Sequence, residues 1–175
     1  MREGQPGRPP TARAAELPDP REPRLMLERE TLKLVVQHPQ VVGRIAREVD
    51  AEDFTHGAYR ALWAGIEKAG GPTAADAQWP STLRDAQTDE RLQSLISALA
   101  VEPLYSDKQP DEAYVSQHVH RLRELTAMRR IADLKSRLQR TNPVEQATEY
   151  NRMFGELVAL EQHRRTLREL AMGAQ

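Results

Sequence analysis

The chain has 175 residues, with 25 Lys and Arg against 26 Asp and Glu, a formal net charge of -1. A balance so near zero argues against a protein that coats nucleic acid by bulk charge. The absence of Cys excludes disulfides, cysteine zinc sites, iron–sulfur ligation and thiol catalysis, and no run approaches the roughly 18 apolar residues of a membrane span. The N-terminus is Arg- and Pro-rich with no apolar segment, so no signal peptide and a soluble intracellular protein are expected. Aromatic residues are 5% of the chain, so the core must rest on Leu, Val, Ile and Ala, a pattern that favours helix packed on helix.

Residues 1–23 read as a Pro/Arg-rich linker, because so few apolar side chains cannot offset the entropy of ordering. After Pro23 the helical signals begin. Leu25, Leu32, Val35 and Val36 lie on one side of a first helix that ends at His38, before Pro39. Pro39 opens a second helix carrying Val41, Val42, Ile45 and Val49. Asp50 caps a short turn ending near Phe54. Thr55 caps a helix with Tyr59, Leu62, Trp63 and Ile66 at helical spacing, stopped by Gly70-Gly71-Pro72. After a loop over 72–80, Pro80 or Ser81 opens a short helix. Thr88 caps the next, which carries Leu92, Leu95, Ile96 and Leu99. A loop over 101–110 leads to two long helices, about 110–140 and, with Asn142 as cap and Pro143 at its first position, to about 172. Thr141 and Asn142 form nearly the whole turn, so the two helices fold back as an antiparallel hairpin about 45 Å long. The fold class expected is all-α.

The first long helix changes face. At about 100° per residue, Val115, Val119 and Leu125 fall within about 60° of Leu122, whereas Ile131, Leu134 and Leu138 fall about 120–180° away. Two opposed faces need two different covers. A helical bundle over 24–125 and a C-terminal hairpin over 126–172 would share this helix, with Ala147, Tyr150, Phe154 and Leu157 as the matching stripe. A single bundle with a bent helix is the alternative. Leu160 and Leu167 lie off that stripe and either rest on the bundle or belong to a docking surface.

Catalytic signatures are missing. There is no Gly-rich phosphate loop, no Asp-x-Asp pair and no His-x-x-x-His pair. His118 and His120, two apart on a helix, diverge. His38, His56 and His163 are isolated, no Ser lies in a nucleophile-elbow context, and Glu28, Glu30, Glu145 and Glu149 sit in helix N-terminal turns, where the dipole favours them. Charge is more suggestive. Asp111 to Arg140 holds seven basic and four acidic residues, a net of +3, with the basic ones concentrated toward the hairpin tip. One reading is a solvated helix face; the other is a surface complementary to an acidic protein partner. Nucleic-acid binding is the weaker reading, since the stripe lacks interleaved aromatics.

The run Leu32-Lys33-Leu34-Val35-Val36-Gln37-His38-Pro39-Gln40-Val41-Val42 resembles the opening of the C-terminal, helicase-binding domain of bacterial DNA primase. Phe54, the helix with Tyr59-Arg60-Ala61-Leu62-Trp63, the Gly stop, the Leu92–Leu99 helix and the two long terminal helices follow in the same order, so the resemblance covers about 24–172. It implies a non-catalytic interaction domain with a bundle and a C-terminal hairpin. The hairpin docks on the N-terminal domains of the hexameric replicative DNA helicase, and the bundle modulates helicase activity. The parent enzyme's zinc-binding and magnesium-dependent polymerase parts are missing, so no cofactor is expected here. Single-stranded DNA-binding protein stands as a further candidate partner; no membrane and no strong direct DNA binding are expected, and the location implied is the bacterial cytoplasm at replication forks. The expected contact residues are Arg137, Arg140, Arg152, Glu161, Gln162, Arg164 and Arg165. The alternatives are an N-terminal domain of a replicative helicase, which shares a similar bundle and hairpin, and a helical nucleic-acid-binding regulator.

Overall fold

The computed structural model describes residues 16–173. Among them all regular structure is helical, as expected: α1 (Met26–Gln37), α2 (Pro39–Val42), α3 (Gly57–Lys68), α4 (Trp79–Asp85), α5 (Glu90–Val101), α6 (Glu112–Arg140) and α7 (Ala147–Ala171). Short 3-10 turns lie at Pro23–Leu25, Gly43–Glu48, Ala51–Asp53 and Pro72–Ala74.

α1 is the centre of the bundle. Every residue from Glu28 to Val36 is buried, so the helix has no solvent face. Its Leu32, Leu34, Val35 and Val36 share one apolar cluster with Leu62 and Trp63 of α3, Trp79 and Leu83 of α4, Leu95 and Leu99 of α5, and Val119 and Leu122 of α6. The core expected from periodicity is present, with Ile45 only partly buried at its rim. Trp79 adds a polar tie, its indole N–H donating to the Val35 carbonyl at 3.1 Å.

Burial on all sides means that the charged residues of α1 must be partnered. Arg29 donates through Nε to Glu102 at 2.9 Å, makes a second guanidinium contact with the same carboxylate, and donates to the Tyr59 hydroxyl at 3.0 Å. Glu30 forms an ion pair with Lys33 and accepts from the Tyr105 amide and the Tyr114 hydroxyl, both at 2.9 Å. Lys33 also donates to the Pro103 carbonyl at 2.7 Å and lies over the Tyr105 ring. Glu28 accepts from the Thr55 amide at 3.0 Å and from its hydroxyl. Glu28 and Glu30 are therefore not dipole ornaments of a first turn but buried anchors for loops.

Other local expectations need correction. The second helix is one turn of α-helix followed by a 3-10 turn, because Gly43 sits at φ +41 and breaks the α ladder. Thr55 does not cap α3; its hydroxyl is held by Glu28, and His56 Nδ1 accepts from the Ala58 amide instead. Asp89 rather than Thr88 caps α5. The expected linker over 1–23 lies, for residues 1–15, outside the described residues. From residue 16 onward it is partly built in: Pro18 is buried, and the Asp19–Glu22 turn is closed by a Glu22 N–H to Asp19 carbonyl bond of 3.1 Å.

Truncating Glu102 leaves the buried Arg29 without its charged partner. Glu102→Ala should cost about 3–5 kcal/mol by chemical denaturation. Hydrogen bonding to Arg29 holds the Glu102 carboxyl below the usual carboxylate range. A depressed carboxyl stabilises the fold at neutral pH and loses that contribution as pH falls through its lowered value. Acidification below about pH 4 should therefore lower the melting temperature more in the parental chain than in Glu102→Gln.

Candidate partner-binding site

α6 leaves the bundle by changing its buried face. Val115, Val119 and Leu122 belong to the bundle cluster, whereas Ala127, Ile131 and Leu134 are buried outside it, against α7. The spacing explains this. Residues 127, 131, 134 and 138 repeat at four-three-four, and residues 150, 153, 157, 160, 164, 167 and 171 repeat at alternating three and four. Both are seams of the coiled-coil type. Met153 and Leu167 are fully buried in the seam, and Leu157 and Leu160 are half-buried.

This register corrects the expected stripe. Tyr150 and Leu157 lie in the seam, but Ala147 is exposed and Phe154 is 53% exposed. Leu160 and Leu167 face α6 as part of the seam rather than a docking surface, and the last turn of α7 runs back beside the bundle, where Arg168, Ala171 and Met172 share a pocket with Leu27 and Gln117. The turn is also longer than two residues. Asn142 Oδ1 accepts from the Val144 amide at 2.9 Å and from the Glu145 amide at 3.3 Å, so it holds the turn rather than capping α7, which begins only at Ala147 after Gln146, and Pro143 lies in the turn and not at the first helical position.

The root of the hairpin is stapled to the bundle. Arg129 donates to the Glu52 and Asp53 carbonyls at 3.1 and 3.3 Å, and Arg130 pairs with the Glu52 carboxylate. The acceptor turn is itself held by a reciprocal cap between Asp50 and Asp53.

Two ion pairs across the seam mark its two edges. On one edge Lys135 meets Glu161 at 3.0 Å, and Arg164 donates to the same carboxylate at 3.1 Å. Hydrogen bonds from Lys135 and then Arg164 hold the Glu161 carboxyl below its ordinary range. On the other edge Arg137 approaches Glu149 at 3.6 Å, and Arg152 donates to Glu149 at 2.8 Å and to Glu156 at 3.3 Å. Arg152, then Arg137, keep the Glu149 carboxyl low. A crevice with charged walls runs along this second edge toward Glu52, lined by Asp133, Arg137, Glu156 and His163 over an apolar floor of Leu134, Ala159 and Leu160.

The residues expected as contacts do not form one surface. Arg137 and Arg152 share the Glu149 edge. Arg140 sits at the tip, bonded to Ser136 Oγ. Glu161 lies on the opposite edge, and Arg164 is half-buried in the seam beside it. Gln162 and Arg165 are exposed further along α7. Apolar side chains not expected among the contacts stand on the Glu161 edge: Met128, Phe154 and Val158, at 45, 53 and 57% exposure. Extending the three-four register of the seam would have found them, as the positions one residue beyond 127, 153 and 157.

A family model described as DNA primase DnaG DnaB-binding matches residues 28–153. The chain belongs to that family. The DNA primase of Mycobacterium leprae (strain TN) is 40% identical over 171 residues, covering 97% of this chain and 27% of that protein. The DNA primase of Mycobacterium tuberculosis (strain ATCC 25618 / H37Rv) is 42% identical over 167 residues, with 94% and 26% covered. The chain thus spans about a quarter of the length of the primases it matches. A solved structure, the helicase binding domain of primase from Mycobacterium tuberculosis, superposes with a TM-score of 0.67 at 40% identity, covering 86% of this chain and 94% of that one. Among the described residues no helix is long and apolar enough to cross a membrane.

The seam register is open to measurement. Leu134→Ala and Met153→Ala should each lower stability by about 2–5 kcal/mol. Phe154→Ala should stay within about 0.5 kcal/mol, as an exposed site does. Urea titration of the three variants distinguishes this register from one with Phe154 in the seam.

Proposed function

We propose that this chain is the part of a bacterial DNA primase that binds the hexameric replicative helicase, recruiting primase to the fork for RNA primer synthesis and modulating the helicase. The observation that carries the reading is the match of residues 28–153 to the DnaB-binding family. The superposition on a solved helicase binding domain supports it. The curated relatives that match are DNA primases, which favours this reading over an N-terminal domain of the helicase.

In this reading the bundle, 24–125, and the hairpin, 126–172, are two working parts, and the hairpin carries the docking surface. Arg137, Arg140 and Arg152 steer the encounter from the tip and one edge. Glu161, Gln162, Arg164 and Arg165 act from further along α7. The domain works by binding and has no catalytic role of its own; zinc and magnesium chemistry belongs to parts of the parent enzyme outside this chain. The setting is the cytoplasm, at the replication fork, and single-stranded DNA-binding protein is a secondary partner of the same domain.

Titrating the full chain into purified replicative helicase tests the reading directly, and saturable binding is expected. Arg137→Ala with Arg140→Ala should slow association severalfold and flatten its salt dependence, with unchanged melting, because peripheral charges act on encounter more than on residence. Binding to DNA with no affinity for the helicase would favour a nucleic-acid-binding regulator instead.

A further inference from the structure

The two edges of the hairpin differ in kind. The Glu149 edge is a charged crevice closed at its base by Glu52 of the bundle. The Glu161 edge carries exposed apolar side chains, Met128, Phe154 and Val158, on either side of the Lys135–Glu161–Arg164 ion pairs. The antiparallel order of the arms decides how its residues are arranged. From the level of the Lys135–Glu161 pair, Val158 and then Phe154 run along α7 toward the tip, while Ala132 and then Met128 run along α6 toward the root. The exposed apolar stripe therefore crosses diagonally from one arm to the other over that ion pair. It spans about 14 residues of helix, or roughly 21 Å. Arg165 and Arg168 flank its root half on α7, and among the described residues neither side chain has an ion-pair partner, whereas Lys135 and Arg164 are both engaged by Glu161. Phe154 and Val158 lie just past the residues matched by the family model.

We infer that this diagonal groove receives one amphipathic helix of the helicase, whose apolar stripe lies on Phe154, Val158, Ala132 and Met128 and whose carboxylates, at one end, face Arg165 and Arg168. The inference rests on the helicase reading above and adds to it the binding face and the chemistry of its occupant. Two arms already packed in a three-four seam present the shallow channel into which a third helix seats by the same spacing. The charge is complementary to an acidic helix, because the two arginines with no ion pair stand where a neutral or basic helix would leave them uncompensated. The polar edge offers no equivalent, since Arg137, Arg152 and Arg130 are occupied by Glu149, Glu156 and Glu52.

The test uses the full chain and the purified helicase hexamer. Ala132→Arg and Val158→Arg place bulk in the groove at exposed positions, and Ala159→Arg places the same bulk on the opposite edge. The groove variants should raise the dissociation rate about tenfold or more, and Ala159→Arg should leave it unchanged. Arg165→Glu with Arg168→Glu should weaken binding by a similar factor at low salt. Circular dichroism and melting check that each variant is folded, with Phe154→Ser as a second groove variant. Parental dissociation rates for the groove variants, with release by Ala159→Arg, would overturn the groove while leaving helicase binding intact. No binding by the parental chain would overturn the helicase reading and this inference with it. A dimer of the chain in sedimentation, dispersed by Val158→Arg, would show that the groove holds a second copy and not the helicase.

Discussion

The fold depends on one helix having no outside. Once α1 is covered from Glu28 to Val36, four ionisable side chains are withdrawn from water together. Uncompensated, each would cost several kcal/mol. The partners that prevent this come from loops and distant helices: Glu102, Pro103 and Tyr105 after α5, Thr55 and Tyr59 around the start of α3, and Tyr114 at the start of α6. Burial and the hydrogen bond to Glu30 push the Tyr114 hydroxyl far up, so it stays a donor. A buried polar network is worth having only when complete, and a complete one permits a single arrangement of the loops it binds. The chain between α5 and α6 is therefore placed by the charges of α1, and with it the direction in which α6 sets out.

α6 carries that direction on to its packing against α7. Its first turns are held by the bundle cluster and its later turns by α7, on nearly opposite sides. The staple of Arg129 and Arg130 on the Ala51–Asp53 turn fixes the point of exit. A two-helix hairpin buries one seam and leaves the rest of each arm in solvent, which is why so few residues of α7 are fully buried. It holds two edges of different chemistry in a fixed relation.

Charge at the hairpin is largely spent within it. Most of the basic residues that make the α6 sequence look like an acidic-partner surface are engaged by carboxylates on α7 or on the bundle. Screened surface pairs of this kind add little stability. Their effect is to neutralise one edge and to leave the apolar side chains and the two arginines of the other as the distinctive surface.

Much of this was legible in the sequence. Leu62, Trp63 and Ile66, or Leu95, Ile96 and Leu99, declare their buried face by spacing alone, because a helix packed on one side must repeat its apolar residues every three or four positions. Pro39, Gly70-Gly71 and Asn142 mark ends because backbone chemistry is local. The change of face in α6 was also visible, since it is a property of one helix. What only the tertiary structure decided was everything that depends on a second element. Glu28 and Glu30 have the same local signature whether they sit in water at a helix start or are sealed beneath Thr55 and Tyr105. In α7, residues 147–150–154–157 and 150–153–157–160 are equally good seams by local spacing; the partner helix selects the second, and so turns Phe154 outward. The sorting of Arg137 and Lys135 to opposite edges follows from that same register, which no single helix carries in its own sequence.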